Sequence, residues 1–423
     1  MSDETREPDD MNPQDTSPEE VNAEGMEPGD EPTGQDAADL YARITGVGSS
    51  AGRALIVPAL ALLTALLIGA IIIAVTDLDT LKIWGSDPGE AFGLTMEGIW
   101  DSYRALFVGS FGSVRAITET LFAATPLIFA GLAVAIGFQA GLFNIGVNGQ
   151  MHMGGMAALW VGFSLSVPAI VHIPLALVAA IIVGGFWGAL SGFLKARTGA
   201  HEVITTIMLN FIALFLVDYM LKTDVFQAPG RNDPISQPAA SSAQFPILFG
   251  SYRLNIGFLL ALGAVWFAWW LMYRSTIGFE FRAVGFNPHG GRYAGMSVAW
   301  IYVSVMGVAG ALGGIAGTTQ TLGLEPYRGI SNFAGTLGFD AIALALLGRS
   351  HPIGVLFAGL LFGALRAGGR EMSGAAGIPI DLVLVLQALV IVFIAAPELV
   401  RAIYRIKTPE QELSTTISTG WGG

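Results

Sequence analysis

Ten apolar runs follow one another between residues 55 and 396, and they leave few architectures open to the chain. Eight of them approach the ~20 residues that a straight helix needs to cross a bilayer, and two are shorter. The composition agrees, with 53% hydrophobic residues, 13% charged residues and a mean hydropathy of +0.60. We therefore predict an all-α, polytopic membrane protein with about ten transmembrane helices. The runs are residues 55–75, 116–138, 151–170, 173–194, 203–221, 256–273, 298–318, 337–347, 353–365 and 378–396.

Glycine occurs 55 times and recurs at helical spacing within several of these runs. Small residues spaced in this way let two membrane helices approach closely. Close helix interfaces are therefore predicted within three of the runs. The glycines concerned are Gly184, Gly188 and Gly192, then Gly310 and Gly314, then Gly359 and Gly363.

The two ends of the chain differ from this apolar region. Residues 1–50 are rich in Asp, Glu, Pro, Ser and Gly, a composition typical of a disordered acidic tail. They lack the basic and apolar regions of a secretory signal peptide. We expect residues 51–406 to form the transmembrane domain and residues 407–423 to form a second tail. The distribution of Lys and Arg among the loops favours a multi-pass protein of the cell membrane with both termini in the cytoplasm.

Residues 139–156, QAGLFNIGVNGQMHMGGM, are polar and rich in glycine although they lie between two apolar runs. Asn144, Asn148 and Gln150 bring hydrogen-bonding groups to a region where lipid would leave them unpaired. Glycine lets the backbone leave a regular helix, which is tolerated at membrane depth only inside protein or beside a wet cavity. The passage is therefore our candidate for a solute path, and a loop at the membrane surface is the alternative.

A second polar cluster stands at the start of the run of residues 203–221. Glu202, Thr206 and Asn210 are four residues apart and share one face of a helix, with Thr205 beside them. Such a stripe needs a partner helix or a solute. It is a second candidate site, with ordinary helix packing as the alternative.

No sequence pattern in the chain carries covalent chemistry. The chain has no cysteine and its five histidines are scattered, so we expect no metal site. The P-loop pattern G-x-x-x-x-G-K-[ST] is absent, so the chain cannot hold ATP phosphates in that way. We expect no enzyme activity, no cofactor bound by this chain and no nucleic-acid partner; any ATP and Mg²⁺ would be bound by a partner subunit.

Three aspartates lie on or beside the apolar runs, where ionisable side chains are costly and often functional. Asp218, Asp340 and Asp381 could relay protons or sodium, so an ion-coupled secondary transporter is the alternative function. Asp340 either faces a cavity or caps the helix that begins near it. An intramembrane aspartyl protease is excluded, because its YD and GxGD patterns are missing around these residues.

Three long connections separate the runs. Residues 274–296 are predicted to form a short amphipathic helix, a turn at Asn287-Pro288 and a second short helix, with an ordinary basic loop as the alternative. Residues 77–115 are predicted to form an interfacial helix or a solvated loop. Residues 222–254, rich in Pro, Ser and Gln, are predicted to form a loop where a partner protein could dock.

Four blocks of the chain, in order, resemble the permease subunits of ABC importers for simple sugars and nucleosides, which are related to ribose and branched-chain amino-acid permeases. They are GLFNIGVNGQMHMGG at residues 141–155, GAHEVITTIMLNFIALFLVDYM at 199–220, STIGFEFRAVGFNPHGGRYAGM at 275–296 and GFDAIALALLGRSHPIGVLFAGLLFGALRAGG at 338–369. The first two blocks are most similar to the nucleoside branch. Asn148 stands where many of those relatives have Glu.

This resemblance implies a fold like that of type II ABC importer permeases and a set of partners. The partners are a second permease subunit, an ATP-binding subunit with two fused cassettes, an extracytoplasmic solute-binding protein and the lipid bilayer. The residues expected to meet the ATPase are Arg282, Asn287, Pro288, His289, Arg292 and Tyr293. The residues expected to line an alternating-access pathway for a neutral, hydroxyl-rich solute are Asn144, Asn148, Gln150, Thr205, Thr206, Asn210 and Asp340.

Overall fold

The computed structural model describes residues 59–405, and the two tails predicted from the sequence lie outside that range. Within it the chain is helical apart from loops and three isolated β-bridges, so the all-α prediction is confirmed for this part of the chain. The helices are α1 Ala59–Thr76, α2 Leu78–Ile83, α3 Pro88–Phe111, α4 Val114–Gln139, α5 Val147–Ser164, α6 Ala169–Thr198, α7 Glu202–Met220, α8 Gly257–Arg274, α9 Thr276–Phe286, α10 Pro288–Tyr293, α11 Val298–Thr321, α12 Leu337–Leu347, α13 Pro352–Ala375, α14 Ile380–Ala395 and α15 Pro397–Tyr404.

Each of the ten apolar runs overlaps one of these helices, although the run of residues 151–170 extends past the end of α5 into the start of α6. Among residues 59–405, 7 helices are long and apolar enough to cross a membrane, namely α1, α4, α6, α7, α8, α11 and α13. Helices α12 and α14 are apolar but shorter, so the number of ten spans stays a prediction. Helix α13 continues to Ala375, well beyond the predicted end at residue 365, because the added turns bury glycine and alanine against α3 and α14.

The interior is built around α4, α5 and α11, in each of which more than half of the residues are buried. Helix α4 contacts α13, α11, α12 and α8, and its residues 124–137 are all buried. Gly359 and Gly363 of α13 face Ile128 and Ala124 of α4, so the predicted interface at these two glycines is confirmed.

Helix α11 packs between α5 and α6 at very short range. The glycine rows predicted to form interfaces in α6 and α11 are the two sides of one contact, since Gly184 and Gly188 lie against Gly310 and Gly314. Gly317 of α11 lies directly against α5 in the same way. Close packing without side chains in between makes α5, α6 and α11 one tightly joined group of helices.

The segment of residues 77–115 is helical rather than a solvated loop. Asp87 caps α3 through the N–H groups of Gly89 and Glu90, at 3.0 Å each. Near the other end of α3, Ser110 Oγ donates to the carbonyl oxygen of Ala364 on α13 at 2.7 Å. The segment is therefore packed against the rest of the protein.

The glycine contact makes a stability prediction. Gly317→Ala would place a methyl group on the Met151 carbonyl oxygen of α5, and such overpacking costs about 1–3 kcal/mol. We expect a lower melting temperature in detergent, measured by intrinsic fluorescence. Gly307→Ala, on the same helix, is the matched control, because its methyl group would meet Ala189 at an ordinary 3.7 Å. Equal melting temperatures for the two variants would contradict the packing described here.

Candidate functional site

The passage between α4 and α5 is buried within the protein. Ala140, Leu142 and Asn144 are 1%, 1% and 0% exposed, although Gly141 between them is exposed. Residues 147–155 are helical, so the alternative of a surface loop there is wrong. The irregular part is confined to residues 140–146, because the chain is helical again from Val147. The glycines at positions 149, 154 and 155 therefore do not break the helix, contrary to expectation; they bring it close to α7, α11 and Phe333.

Two amide side chains hold this turn together. Asn144 Nδ2 donates to Gln150 Oε1 at 3.3 Å, and Gln150 Nε2 donates back to Asn144 Oδ1 at 3.2 Å. Asn144 Oδ1 also accepts from the Gly146 N–H at 3.0 Å. The pair thus ties the irregular backbone to the first turn of α5.

The polar stripe of α7 packs against the same turn. Asn210 Oδ1 accepts from the Gly149 N–H at 2.7 Å, and its Nδ2 donates to the carbonyl oxygen of Ile145 at 2.9 Å. Thr206 is buried beside Gly146, and Glu202 is paired with Lys195 at 2.6 Å. Thr205 is half-buried and donates within its own helix, so the structure does not bring it to this cluster.

A second irregular stretch, residues 322–336, connects α11 to α12 and lies along α5. Gly329 lies against Leu159 and Met156, and Phe333 lies against Gly155. Further along, Asn148 Nδ2 donates to the Gly335 carbonyl at 3.1 Å and Asn148 Oδ1 accepts from the Gly338 N–H at 3.2 Å. The stretch therefore runs antiparallel to α5 and ends where α12 begins.

The contact between this stretch and α5 is long compared with the thickness of a membrane. From Leu159 back to Asn148 the stretch follows α5 over a rise of about 16 Å, roughly half of a ~30 Å hydrocarbon core. Helix α12, only 11 residues long, continues from there beside α4. The short apolar run at residues 337–347 is therefore preceded by an irregular stretch that also lies inside the protein.

Two of the three aspartates are bound in ways that favour structure over ion transport. Asp340 pairs with Arg366 of α13 and accepts from Thr336 Oγ1 at 3.0 Å. It does not cap α12 through its side chain. Asp218 accepts from Ser331 Oγ at 2.6 Å, which ties α7 to the 322–336 stretch, and Asp381 is exposed at the start of α14.

Arg366 lines a cavity of about 380 Å³ between α4, α11, α13 and α14. Its wall combines apolar side chains such as Phe122 with the amides of Gln320 and Gln387. Among the described residues, no group of three or more His, Asp or Glu side chains converges to form a metal site.

His152 is a polar residue of α5 that the sequence analysis left out of the site. It is 1% exposed, its Nδ1 lies 2.7 Å from the Asn148 carbonyl oxygen, and its Nε2 is buried without a partner. Its ring stands 4.9 Å from that of Phe333. The sequence held one signal, a histidine within the polar passage one turn after Asn148.

The connection between α8 and α11 folds as predicted into two short helices. Ser275 caps α9 through the Gly278 N–H, and Asn287 caps α10 through the Gly290 N–H, each at 3.0 Å. Phe286 and Tyr293 are 91% and 95% exposed at the tip of this connection. Gly285 of α9 touches the backbone of Ala140 and Gly141, so the exposed tip is one contact away from the buried turn.

Residues 116–395 match the family of branched-chain amino acid transport system permease components. The chain belongs to this permease family. The match begins within α4 and ends with α14, and it contains both irregular stretches along α5.

Three curated proteins are similar to this permease over most of their length. The guanosine ABC transporter permease protein NupP of Bacillus subtilis is 41% identical over 71% of this chain and 86% of its own. The glucose ABC transporter permease protein TsgB13 of Haloferax volcanii is 37% identical over 72% and 82%. The nucleoside ABC transporter permease protein NupB of Lactococcus lactis is 36% identical over 81% and 91%. No solved structure matches the chain significantly.

These relatives confirm the resemblance predicted from the four sequence blocks. They are subunits of ATP-driven transporters, so the family supports a permease subunit and gives no support to the ion-coupled alternative. Together with the apolar helices, the match places this permease in the cell membrane as a multi-pass protein.

The role of Asn148 in this permease is open to a direct test. Asn148→Ala would leave the Gly335 carbonyl and the Gly338 N–H without their side-chain partner, at about 1–3 kcal/mol for each buried group. We expect a clear fall in melting temperature in detergent. Thr205→Ala is the control, since its hydroxyl bonds only to its own helix, and should change little. A neutral Asn148→Ala would mean that the break is held by other contacts.

Proposed function

We propose that this permease is one membrane subunit of an ATP-driven ABC importer for nucleosides, with simple sugars as the second candidate solute. The observation that carries the proposal is the similarity to three ABC permeases over most of the chain. Two of the three are named for guanosine or nucleosides, and one of these has the highest identity of the three.

We further propose the topology of a type II importer permease, with about ten spans and both termini in the cytoplasm. Lys195 and Arg197 at the end of α6, together with Arg and Lys in the α8–α11 connection and after α14, support this orientation. The tip of α9 and α10 then faces the cytoplasm, and the cavity beside Arg366 opens toward the opposite side, where a solute-binding protein would deliver its solute.

The α9–α10 tip is the proposed contact with the ATP-binding subunit, a chain with two fused cassettes that holds ATP and Mg²⁺. Its proposed contact residues are Arg282, Asn287, Pro288, His289, Arg292 and Tyr293. All six are exposed or half-buried. Because Gly285 touches Ala140, a displacement of the tip would reach the turn before α5 directly.

The second permease of the transporter is proposed to be a related but different chain. Bacillus subtilis has a second match, the guanosine ABC transporter permease protein NupQ, and Lactococcus lactis has the nucleoside ABC transporter permease protein NupC. Each is only 26% identical to this chain, against 41% and 36% for NupP and NupB. The pattern supports a pair of unlike subunits with this chain in the position of NupP and NupB.

The proposed pathway runs beside α5, and the residues predicted from the sequence to line it are Asn144, Asn148, Gln150, Thr205, Thr206, Asn210 and Asp340. Thr205 lies outside the polar cluster on α5 and would reach the pathway only after a movement of α7. Neutral amides suit a neutral solute because they offer donors and acceptors without trapping it by charge. Four of these side chains hold irregular backbone or one another, so alternating access requires some of their bonds to be exchanged.

The proposal is tested by reconstituting the permease with its second permease, its ATPase and its binding protein in liposomes. We expect uptake of radiolabelled guanosine that requires ATP on the cytoplasmic side. Liposomes with an ion gradient and no ATP are the control and should show no uptake. Gradient-driven uptake by the permease alone would overturn the proposal.

A second prediction concerns the contact with the ATPase. Arg292→Glu reverses an exposed charge on α10 and should lower ATP-driven uptake at least tenfold, with normal expression and continued ATP hydrolysis. Lys82→Glu is the control, because Lys82 is an exposed residue of α2 outside the proposed contact. Uptake by Arg292→Glu at the level of Lys82→Glu would remove Arg292 from the interface.

A further inference from the structure

The hydrogen bonding of His152 assigns its two ring nitrogens. The Asn148 carbonyl oxygen can only accept, so the Nδ1 atom 2.7 Å away carries the proton and donates. In the neutral ring the other nitrogen, Nε2, is then an acceptor with its lone pair in the ring plane. That acceptor is buried without a hydrogen-bond donor, a condition that native proteins rarely tolerate without a purpose.

Four amides around His152 have no comparable spare group, whereas Gln139 at the end of α4 also keeps its Oε1 buried without a donor. The side chains of Asn144, Asn148, Gln150 and Asn210 each use both their oxygen and their nitrogen in hydrogen bonds within the protein. Within α5, all of which is described, His152 alone keeps a buried polar side-chain atom unpaired. The position of α5 at the centre of the proposed pathway makes this atom the available acceptor for a solute.

Phe333 covers His152 from the 322–336 stretch. The two rings are 4.9 Å apart and tilted by 52°, and Phe333 also lies against Gly155. Its ring is partly buried between the two main apolar clusters of the protein. A flat aromatic face beside an in-plane acceptor is the arrangement that binds a planar ring carrying N–H groups.

The 322–336 stretch, which carries Phe333, is bound to its neighbours more firmly in its first part than in its second. Its first part is fixed to residues 236–255, since the Gly329 N–H donates to Ser236 Oγ at 2.8 Å and Asn255 Nδ2 donates to the Gly323 carbonyl at 2.8 Å. Beyond Ile330 it is joined to neighbouring elements through Asp218 and Asn148, and its backbone includes the left-handed residues Asn332 and Gly335. Few bonds therefore have to change for Phe333 to move off His152.

We propose that His152 and Phe333 form the contact that recognises the base of a nucleoside during import. The Nε2 atom accepts a hydrogen bond from the solute, and the Phe333 ring stacks on the planar base after the stretch around residues 331–336 shifts aside. This inference rests on the proposed function, and it names the residues that favour a nucleoside over a free sugar.

The test uses one pair of variants at each residue. The His152 pair differs in where the side chain places its polar group, and the Phe333 pair differs in whether the aromatic ring is kept. His152→Asn keeps an amide N–H near the Nδ1 position and removes the distal acceptor, whereas His152→Gln places an amide oxygen near Nε2. Phe333→Leu removes the aromatic face and Phe333→Tyr keeps it. Each variant is reconstituted in the complete transporter, and ATP-driven uptake of guanosine and of glucose is measured over a range of concentrations.

We expect His152→Asn and Phe333→Leu to raise the KM for guanosine at least tenfold, with maximal rates within about threefold of the parent. His152→Gln and Phe333→Tyr should recover most of that loss. Unchanged KM values for His152→Asn and Phe333→Leu, with guanosine import intact, would overturn this inference and leave the proposed function standing. A parent transporter that imports glucose and no nucleoside would overturn the base contact while sparing the permease assignment.

Photolabelling of the unaltered transporter tests the same contact without relying on variants, which could fail to assemble. Irradiation with 8-azidoguanosine should label peptides that contain residues 328–336 or α5, and excess guanosine should prevent the labelling. Specific labelling confined to other helices would contradict the proposal. A parent transporter with no ATP-dependent uptake of any solute would overturn the proposed function and this inference together.

Discussion

Backbone groups that leave a helix inside a membrane protein must find partners within the protein, and the rest of this structure depends on how that requirement is met along α5. Two irregular stretches, residues 140–146 and 322–336, lie against this helix. Lipid would leave their peptide groups unpaired at a cost of several kcal/mol each. Side-chain amides take up part of that role, with Asn210 serving the first stretch and Asn148 the second.

This use of the amides changes what the polar passage means. A sequence of amides in an apolar region suggests groups that face a solute, yet here Asn144 and Gln150 bond to each other and Asn148 bonds to backbone. Their net contribution is about 0.5–1.5 kcal/mol per bond, whereas leaving a buried group unpaired costs more. Opening the site therefore requires the hydrogen bonds of these amides to break. The unpaired polar atom on α5 is Nε2 of His152.

The sequence predicted the helical elements well because apolar runs and glycine spacing are local signals. The packing of Gly184 and Gly188 on Gly310 and Gly314 followed from small residues at helical spacing. The caps at Ser275 and Asn287 likewise agree with the predicted pair of short helices. Residues 77–115 were harder, because α3 is less apolar than the spans and is held by contacts with α13 that lie far away in sequence.

The candidate site was predicted as a region but not as a set of bonds. Glycines at positions 149, 154 and 155 suggested a broken helix, although each lies in a regular part of α5 and lets a neighbouring element pack closely on it. No local pattern could show that residues 322–336 lie beside α5, because the stretch has no regular period and the two bonds to Asn148 join residues 187 and 190 positions apart. The role of His152 also depends on that pairing, since Phe333 comes from the same distant stretch.

The two kinds of contact on α5 also indicate where movement can occur. On one side, Gly154 of α5 lies against the backbone of α6 and α11, and Gly317 of α11 lies on the Met151 carbonyl, so sliding would create overlaps at once. On the other side, hydrogen bonds of the Asn148 and Asn210 side chains join α5 to α7, α12 and the two irregular stretches. These hydrogen bonds can exchange partners. A displacement of α9 at Gly285 would first move Ala140, which belongs to the irregular stretch on this second side of α5. Alternating access would therefore keep α5, α6 and α11 as one body and move the irregular stretches, with Phe333, across its polar face.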